Sequence, residues 1–365
     1  MNDKLKIAMV AVDLSRTGIS TVIMNYCRNI DLTRCQIDLI VGNRIVPEYR
    51  KECDALGVRI IEVPFKLENA KGYYLALFKN LSAKKYDIVH VHGNSAMITP
   101  ELAIAWLKGI KVRIAHSHNT TCEHIKVEKI LRPVFNMLYT HGFACSTAAG
   151  HWLFGDNDFY VIPNGFETEK FKFSQNKRDE IRSQLNLSEK FVIGHIGQFN
   201  AQKNHQFLLR VFTKIAEQRD DAVLLLIGNG PDKEKIMGLI DEHTYKDRII
   251  VYGESDHPED LYCAMDRFVF PSKFEGLGIV LLEAQISGLA CVASDVVPSE
   301  AIISDNVTSL SLNDSLSVWA NNILQDNQIE REHYYARNLQ NISKYDITVN
   351  ARQLINIYNR CVRHE

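Results

Sequence analysis

A loop carrying two carboxylates and leading into an apolar helix is the segment best equipped for chemistry. It runs from Pro271 to Ala284. A Gly-Leu-Gly turn that ends at Gly278 lies between its two carboxylates, Glu275 and Glu283. A strand is expected to end at Pro271 and a helix to begin near Gly278. Because the first amides of a helix lack partners inside it and carry its positive dipole end, the turn predicts a phosphate site.

Glu283 is unusual because the predicted helix around it is apolar. Residues three and four positions away include Ile279, Val280 and Ile286, and residues at this spacing share a helix face. A carboxylate buried there is costly unless it is paired. Two ribose hydroxyls would satisfy it, and so would an internal lysine or a backbone amide. A binding role and a structural role therefore stay open for Glu283, and for Glu275 in the loop.

A second candidate loop follows the strand predicted over residues 191–197. Lys203 stands six residues after Gly197 and offers a point charge for a phosphate leaving group. A Gly-Asn-Gly-Pro sequence at 228–231 follows the next predicted strand. An exposed loop lysine and a plain turn would give the same patterns, so neither motif decides alone.

The rhythm of the whole chain predicts an α/β fold with doubly wound parallel sheets. Short apolar runs alternate with helical patterns along the chain. A hydrophilic stretch at 167–190 interrupts this alternation, which resumes after it. A chain of 365 residues exceeds the size at which one core keeps growing. We expect two domains, residues 1–165 and 166–345, a linker near 165–188 and a final helix over 346–365. Ligands bind at the carboxyl ends of such strands, so a cleft shared by both domains is expected.

Composition excludes some classes of function. The formal net charge is -2, which gives no field to attract nucleic acid or an anionic membrane over the whole surface. The eight cysteines are scattered without close pairs, which fits a reducing compartment. The sequence has no leader-like segment and no apolar stretch long enough to span a membrane, so we expect a cytoplasmic protein.

Several motifs together resemble the family-4 retaining glycosyltransferases of the GT-B fold, and among them the bacterial enzymes of capsule and exopolysaccharide assembly. They are the two glutamates with Gly-Leu-Gly between them, Gln-Lys-Asn at 202–204, Gly-Asn-Gly-Pro at 228–231 and Ile-Pro-Asn-Gly at 162–165. The resemblance covers nearly the whole chain. It implies two Rossmann-like domains facing a central cleft, the first binding the acceptor and the second the nucleotide sugar, with the last helix returning to the first domain.

The resemblance also implies roles for individual residues. Lys203 would bind the donor diphosphate, Glu283 the ribose, and Glu275 the transferred sugar. The backbone of Leu277 and Gly278 would contact the phosphate, and the loop at 253–254 would lie beside the base. The donor-binding residues expected on this basis are Gly18, Gln198, Lys203, Gly228, Gly253, Glu254, Gly276, Leu277, Gly278 and Glu283.

Gln198 departs from the family pattern, which usually has arginine at this position. A charge-assisted hydrogen bond contributes about 1.5–3 kcal/mol, against about 1 for a neutral one. Either another cation substitutes or donor turnover is weakened, and a catalytically silent partner subunit is an alternative. Gly18 stands where the family commonly has two glycines, and a single glycine still permits close approach.

Histidines end two neighbouring strands of the first domain. The family places a histidine near the sugar after the fifth strand, and we expect His118, rather than His116, to act with Glu275 as a catalytic residue. The two side chains point the same way along a strand, so only register separates them. With His90 and His92 they form two His-x-His pairs, which a metal-dependent hydrolase would use as ligands. No acidic ligand accompanies them.

The expected reaction moves a hexose or N-acetylhexosamine from a nucleoside diphosphate, UDP in the first instance, to a saccharide acceptor carried on a lipid. We expect retention at the anomeric carbon and no metal or other cofactor, because Lys203 and backbone amides would stabilise the leaving diphosphate. The alternative is a nucleotide-sugar isomerase resembling UDP-N-acetylglucosamine 2-epimerase, on the same two-domain plan. We expect no nucleic acid partner.

Two segments, 65–86 and 126–139, combine lysines with apolar residues. Such a pattern is typical of helices that lie on a membrane surface, and equally of helices that face a protein core. Peripheral contact with the inner face of the membrane is therefore one of two interpretations.

Overall fold

The computed structural model describes residues 4–82, 84–326 and 329–363. The chain divides into two compact units. The first takes in the chain as far as Phe166 and resumes at Lys344, and the second spans Glu167–Ser343. Residues 1–3 and 364–365, which the sequence interpretation assigned to the first domain, lie outside the described residues.

The first unit contains, in the part of the chain described, a parallel sheet of seven strands. The strands are Leu5–Ala11 (β1), Cys35–Gly42 (β2), Arg59–Val63 (β3), Ile88–Gly93 (β4), Val112–Ser117 (β5), His141–Ala144 (β6) and Phe159–Val161 (β7). The helices between them are Gly18–Asn29 (α1), Pro47–Leu56 (α2), Ala70–Asn80 (α3), Thr99–Leu107 (α4), Ile125–Leu138 (α5) and Thr147–Phe154 (α6).

The strand order of this sheet, β3-β2-β1-β4-β5-β6-β7, reverses between β1 and β4. The connections after these two strands therefore leave in opposite directions and open a crevice at their carboxyl ends. The right-handed crossover rule puts α1 and α2 on one face of the sheet and α3 to α6 on the other. Packing of α3 against α4, and of α4 against α5, agrees with this arrangement.

The second unit has a parallel sheet of six strands among its described residues, in the order β10-β9-β8-β11-β12-β13. Its strands are Phe191–Ile196 (β8), Ala222–Ile227 (β9), Ile249–Gly253 (β10), Arg267–Phe270 (β11), Ala290–Ser294 (β12) and Val307–Leu310 (β13). Its helices are Gln175–Gln184 (α7), His205–Ala216 (α8), Lys233–Asp241 (α9), Pro258–Ala264 (α10), Ile279–Ile286 (α11), Leu316–Leu324 (α12), Arg331–Arg337 (α13) and Leu339–Ile342 (α14).

Apolar sequence runs explain the central strands of the second sheet. Every residue of β8 and β9 is buried, as expected for parallel strands covered by helices on both faces. Helix α8 contributes buried residues at the i, i+3 and i+4 spacing of one helical face, including Leu208, Phe212 and Ile215. The prediction of doubly wound parallel sheets is confirmed.

The hydrophilic stretch after the first unit folds onto the second unit. Its helix α7 packs against α10, and two of its arginines hold Asp266 at the start of β11. Arg178 and Arg182 each pair with a carboxylate oxygen of this residue, and Arg182 also donates to the backbone oxygen of Ala264 at 2.9 Å. The low apolar content of this segment therefore reflects fixed polar contacts.

The last helix, Ile347–Arg363 (α15), belongs to the first unit and packs against α1. Its buried side includes Leu354, Ile355 and Tyr358. The return of the last helix to the first unit agrees with the resemblance. No helix in the described ranges is long and apolar enough to cross a membrane.

Candidate active site

The loops at the topological switch point of the second sheet bring Lys203 and Glu275 together. Lys203 follows β8 and Glu275 follows β11, the two strands between which the strand order reverses. The Lys203 ammonium donates to Glu275 Oε1 at 2.6 Å, and the two side chains are 14% and 6% exposed. The ammonium also lies 4.6 Å from the centre of the Phe270 ring. A shielded cation therefore stands where this fold binds ligands.

Hydrogen bonds fix the two loops against each other. The Lys273 amide donates to the Gln202 carbonyl at 2.9 Å, and Gln202 Nε2 donates to the Phe274 carbonyl at 3.0 Å. Asn204, in the left-handed conformation at the start of α8, donates from its side chain to the Pro271 carbonyl at 3.2 Å. The position of Lys203 is thus set by backbone geometry as well as by its ion pair.

Glycines at the ends of β8 and β9 allow a close backbone approach. Gly228 has φ +140°, and a Cβ built there would lie 2.0 Å from the Gly197 carbonyl oxygen. At Gly197 a Cβ would lie 3.1 Å from the Lys203 side chain. The Gly228 amide donates to the Gly253 carbonyl at 2.8 Å, which ties the end of β9 to that of β10. Gly228 is therefore a packing requirement beside the lysine rather than a plain turn residue.

The turn from Gly276 to Gly278 is buried and leads directly into α11. Gly278 adopts the left-handed conformation with φ +87°, which disfavours any residue with a side chain. Leu277 is 2% exposed and anchors the turn in the core. The turn leads into the amino end of an eight-residue helix, so the helix start that the sequence predicted is confirmed. The phosphate site expected there stays a prediction.

Glu283 lies on α11 and accepts a hydrogen bond from the Tyr262 hydroxyl, at 2.7 Å to its Oε2. Burial raises the pKa of its carboxyl to about 7, the Tyr262 hydrogen bond lowers it, and nearby Glu259 raises it. The sequence analysis expected a partner for Glu283 but did not identify Tyr262. That residue comes from α10, 21 positions earlier, and no local pattern links the two.

Three further residues predicted for the donor site, Gln198, Gly253 and Glu254, follow or end strands β8 and β10 of the second sheet. Gln198 is exposed and accepts a hydrogen bond from Asn200 at 2.9 Å. Glu254 is exposed, and Gly253 has φ +87° with open space where a Cβ would be. The structure therefore pairs Lys203 with Glu275, and these three residues are not part of that ion pair.

Two histidines that the sequence analysis did not single out lie close to Lys203. His195 and His205 are 0% and 2% exposed, and their ring centres are 4.8 Å apart. Desolvation, together with the Lys203 charge, lowers the pKa of His205 to about 4, and burial holds the pKa of His195 well below its usual value. Both rings are neutral at physiological pH and add no charge beside the lysine.

The first unit assembles its four strand-end histidines into a ladder, which comprises His90, His92, His116 and His118. Ring nitrogens pair across β4 and β5, at 3.0 Å between His90 Nε2 and His116 Nδ1 and at 2.9 Å between His92 Nδ1 and His118 Nε2. His90 Nδ1 also bonds the hydroxyl of Tyr358 on α15 at 2.7 Å. His118 is the partly exposed member and His116 is 1% exposed, so His118 is the one that solvent reaches.

Burial keeps the ladder uncharged. Desolvation lowers the pKa of His90 and of His118 to about 3 and holds the pKa values of His92 and His116 well below the usual range. Ring nitrogens of His90, His92 and His116 lie within 4.8 Å of one another, so three of the four histidines considered for the metal-dependent alternative are close together. Neutral imidazoles are the form that binds transition metals.

Gly18 opens α1 after β1 in the first unit. It is exposed, and a Cβ built there would meet nothing within 4 Å. The protein itself therefore does not require glycine at this position, in contrast to Gly228.

Comparison with known proteins identifies the family. Residues 177–338 match the family described as glycosyl transferases group 1. The chain is 30% identical to the putative glycosyltransferase EpsF of Bacillus subtilis, over 98% of both proteins. The chain belongs to the group 1 glycosyltransferases. It is also 28% identical to an Escherichia coli UDP-Gal:alpha-D-GlcNAc-diphosphoundecaprenol alpha-1,3-galactosyltransferase, over 66% of each chain.

Solved structures agree with the GT-B fold of this glycosyltransferase. Anabaena Alr3699/HepE, in complex with UDP and glucose, superposes with a TM-score of 0.81 at 16% identity, over 97% of this chain and 99% of that one. WaaG, a glycosyltransferase involved in lipopolysaccharide biosynthesis, gives a TM-score of 0.73 at 15% identity, over 96% and 99%. The family resemblance and the GT-B fold class are confirmed.

Proposed function

We propose that this glycosyltransferase transfers a hexose or N-acetylhexosamine from a UDP-sugar to a lipid-linked saccharide, with retention and without a metal, in capsule or exopolysaccharide assembly. The observation that carries the proposal is the shielded Lys203–Glu275 pair at the switch point of the second sheet. It places one cation and one carboxylate beside the start of α11. These are the groups needed for a leaving diphosphate and a departing sugar.

Cleavage of the donor leaves negative charge on the diphosphate and positive character on the sugar ring. Lys203, with the amides at Leu277 and Gly278, would stabilise the diphosphate, the role that a divalent ion takes elsewhere. The low exposure of the ammonium strengthens this attraction, because little water screens it. On donor binding, Lys203 would turn from Glu275 to phosphate and release the carboxylate to orient sugar hydroxyls.

Glu283 would hold the donor ribose. One of its oxygens accepts from Tyr262, and ribose hydroxyls would donate to the carboxylate. Gly228, Gly253, Glu254 and Gln198 would border the nucleotide. The departing diphosphate would accept the proton of the acceptor hydroxyl, so no protein nucleophile is required.

His118 would orient a hydroxyl of the sugar. Its pKa of about 3 keeps the ring neutral, and a neutral ring can hydrogen-bond a hydroxyl without adding charge next to a cationic sugar. The pairing with His92 fixes the ring. Gly18 would leave room for the donor or the acceptor.

Two relatives support the choice of substrates. The E. coli relative is named for a UDP-linked donor and a diphosphoundecaprenol acceptor, and the Anabaena structures contain UDP or UDP-glucose. We extend both properties to this chain as part of the proposal.

The test uses the purified full chain with UDP-, GDP- and ADP-sugars, with and without a lipid extract and a chelator. We expect release of UDP from one donor, dependent on the extract and indifferent to the chelator, and an α-linked product from an α-linked donor. Conversion of the donor to an isomer without transfer would mean an epimerase. Activity only with a second protein would indicate a silent subunit, and loss of activity on chelation, restored by zinc, would favour a metal at the histidine ladder.

A further inference from the structure

Three polar side chains at the carboxyl ends of β4 and β5 each have a buried atom without a hydrogen-bond partner. Among the residues that the structure describes, none bonds His92 Nε2, Asn94 Oδ1 or His118 Nδ1. His92 is 5% exposed, whereas Asn94 and His118 are partly exposed. Buried polar atoms in proteins almost always have a partner, so this group, which we call the strand-end triad, needs an explanation.

Backbone and side-chain contacts bring the triad together. The His118 amide donates to the Gly93 carbonyl at 3.1 Å, and Gly93 is the residue between His92 and Asn94. The rings of His92 and His118 are bonded at 2.9 Å through His92 Nδ1 and His118 Nε2. The triad therefore lies at the end of β4, one of the two strands that border the switch point of the first sheet, where this fold binds ligands.

Hydrogen bonds from two helices fix the segment that carries Asn94. Trp152 Nε1 on α6 donates to the Asn94 carbonyl at 2.8 Å, and buried Glu128 on α5 accepts from the Ala96 amide. Arg132 links the two contacts, because it pairs with Glu128 and donates to the Trp152 carbonyl at 3.0 Å. The position of Asn94 is thus set before any ligand binds.

The unpaired atoms of the triad match sugar hydroxyls better than a phosphate. Both imidazoles are neutral, because desolvation lowers the pKa of His118 to about 3 and holds the pKa of His92 well below its usual value. A neutral ring has one N–H and one lone pair, so two rings joined by one hydrogen bond leave one of each unused. With Asn94 Oδ1, the triad offers one donor and two acceptors. A hydroxyl group both donates and accepts, whereas a phosphate only accepts.

We propose that the strand-end triad is a saccharide subsite, in which Asn94 and His92 join His118 in holding the hydroxyl groups of a neutral sugar. The inference rests on the proposed function, which supplies sugars as substrates, and adds Asn94 and His92 to it. The sugar is either the one transferred or the one at the end of the acceptor, since both present such hydroxyls. A purely structural role for Asn94 fits less well, because its amide oxygen bonds nothing in the part of the chain described.

The first measurement is steady-state kinetics of the full chain with Asn94→Ala, using the donor and acceptor identified by UDP release. We expect the KM for one of the two substrates to rise about fivefold, the effect of losing one neutral hydrogen bond, while the Kd for UDP alone stays unchanged. Asn94→Asp keeps the shape and the acceptor oxygens, and should restore most of the lost affinity. A rise in the KM for the donor assigns the subsite to the transferred sugar, and a rise in the KM for the acceptor assigns it to the acceptor sugar.

Asn80→Ala is the matched control, because Asn80 is a partly buried asparagine of α3 whose amide donates to the Ala76 carbonyl at 2.9 Å. It should leave both KM values unchanged. Since Asn94 Oδ1 has no protein partner to lose, Asn94→Ala should unfold at the same urea concentration as the wild type or at a higher one. A loss of stability with both KM values unchanged would overturn the proposal and make Asn94 structural.

A second measurement does not depend on turnover. Saturation-transfer NMR with methyl glycosides of glucose, galactose and N-acetylglucosamine detects direct binding of a neutral sugar, and Asn94→Ala should reduce the signal of the sugar that binds. A chain that binds a sugar through Asn94 but releases no UDP from any donor would refute the proposed function and leave the subsite intact. Sugar binding that Asn94→Ala does not alter would refute the subsite, whatever the activity.

Discussion

The two sheets of this glycosyltransferase share the strand order around their switch points but carry different chemistry there. The second sheet presents an ion pair between Lys203 and Glu275. The first presents a ladder of four histidines whose pKa values burial has lowered. The same topology thus supplies a charged crevice in one unit and a neutral one in the other.

The difference fits the proposed division of labour. A diphosphate is stabilised by a cation that contacts it, and the lysine of the shielded ion pair is such a group. A neutral imidazole can hydrogen-bond the hydroxyls of a sugar without placing a further positive charge beside a ring of positive character. Strand order places a crevice at the switch point of each sheet, and the side chains after the strands determine the charge of that crevice.

The largest effect is expected when the charge is removed from the second crevice. Lys203→Met with Glu275→Gln, which avoids leaving a buried carboxylate alone, should lower the rate of UDP release about 100-fold or more. Lys273→Met, on the same loop but exposed, is the matched control and should retain activity. Steady-state kinetics with the identified donor measures both, and full activity of the double variant would remove Lys203 from the mechanism.

Replacing a glycine should destabilise the protein much more at Gly228 in the second unit than at Gly18 in the first. Gly228→Ala places a Cβ 2.0 Å from a carbonyl oxygen in a strained conformation, and should cost about 3 kcal/mol in the free energy of unfolding. Gly18→Ala meets nothing within 4 Å and should change stability by less than about 1 kcal/mol. Urea unfolding compares the two variants. Equal losses would contradict the packing role of Gly228.

Lowering the pH should destabilise the protein through the buried histidine ladder. The histidine rings are neutral in the folded protein, but in the unfolded chain they titrate near pH 6.5. Below about pH 6.5 the unfolded chain therefore binds more protons than the folded protein, and stability decreases as the pH is lowered. His92→Gln with His116→Gln should reduce this loss between pH 7 and pH 5 by about 2 kcal/mol per histidine.

His124→Gln is the control for that experiment, because His124 is an exposed histidine of the first unit. It should leave the slope of stability against pH unchanged. Since His195 and His205 also have lowered pKa values, some acid sensitivity should persist in every variant. A slope that the double substitution does not alter would contradict the ladder's neutral state.

The sequence predicted the architecture and most of the loops at the second crevice. Apolar runs as complete as β8 and β9 identify buried parallel strands, and both loops of the ion pair follow such strands. The order of the strands was not predictable from these runs, because neighbours in the sheet are distant in sequence. The contact between Lys203 and Glu275 across 72 residues therefore needed the structure.

Side-chain partners were the least predictable part. The sequence showed that Glu283 needs a partner, but Tyr262 reaches it only because α10 and α11 pack together. On α5, apolar residues occur on both sides of the helix, so the sequence could not separate buried Phe135 from exposed Met137. The roles that the family resemblance assigns to the site residues stay predictions.

The smallest effect concerns Glu283 and has the opposite pH dependence to the ladder. Its pKa is raised to about 7 in the folded protein from 4.5, so the folded state binds more protons and stability is lost as pH rises from about 4.5 to about 7. Glu283→Gln, whose amide oxygen can still accept from Tyr262, should stabilise the protein at pH 8 and change it little at pH 4.5. We expect about 1–2 kcal/mol at pH 8, less than the full shift of the pKa would give, because the side chain is only half-buried and water screens its charge. Glu242→Gln, at an exposed position, should show no such trend.

Because ribose hydroxyls would donate to the ionised carboxylate, Glu283→Gln should also weaken UDP binding measured by calorimetry at pH 8. A gain in stability without loss of UDP binding would leave Glu283 a purely structural carboxylate and narrow the charged crevice to Lys203 and Glu275.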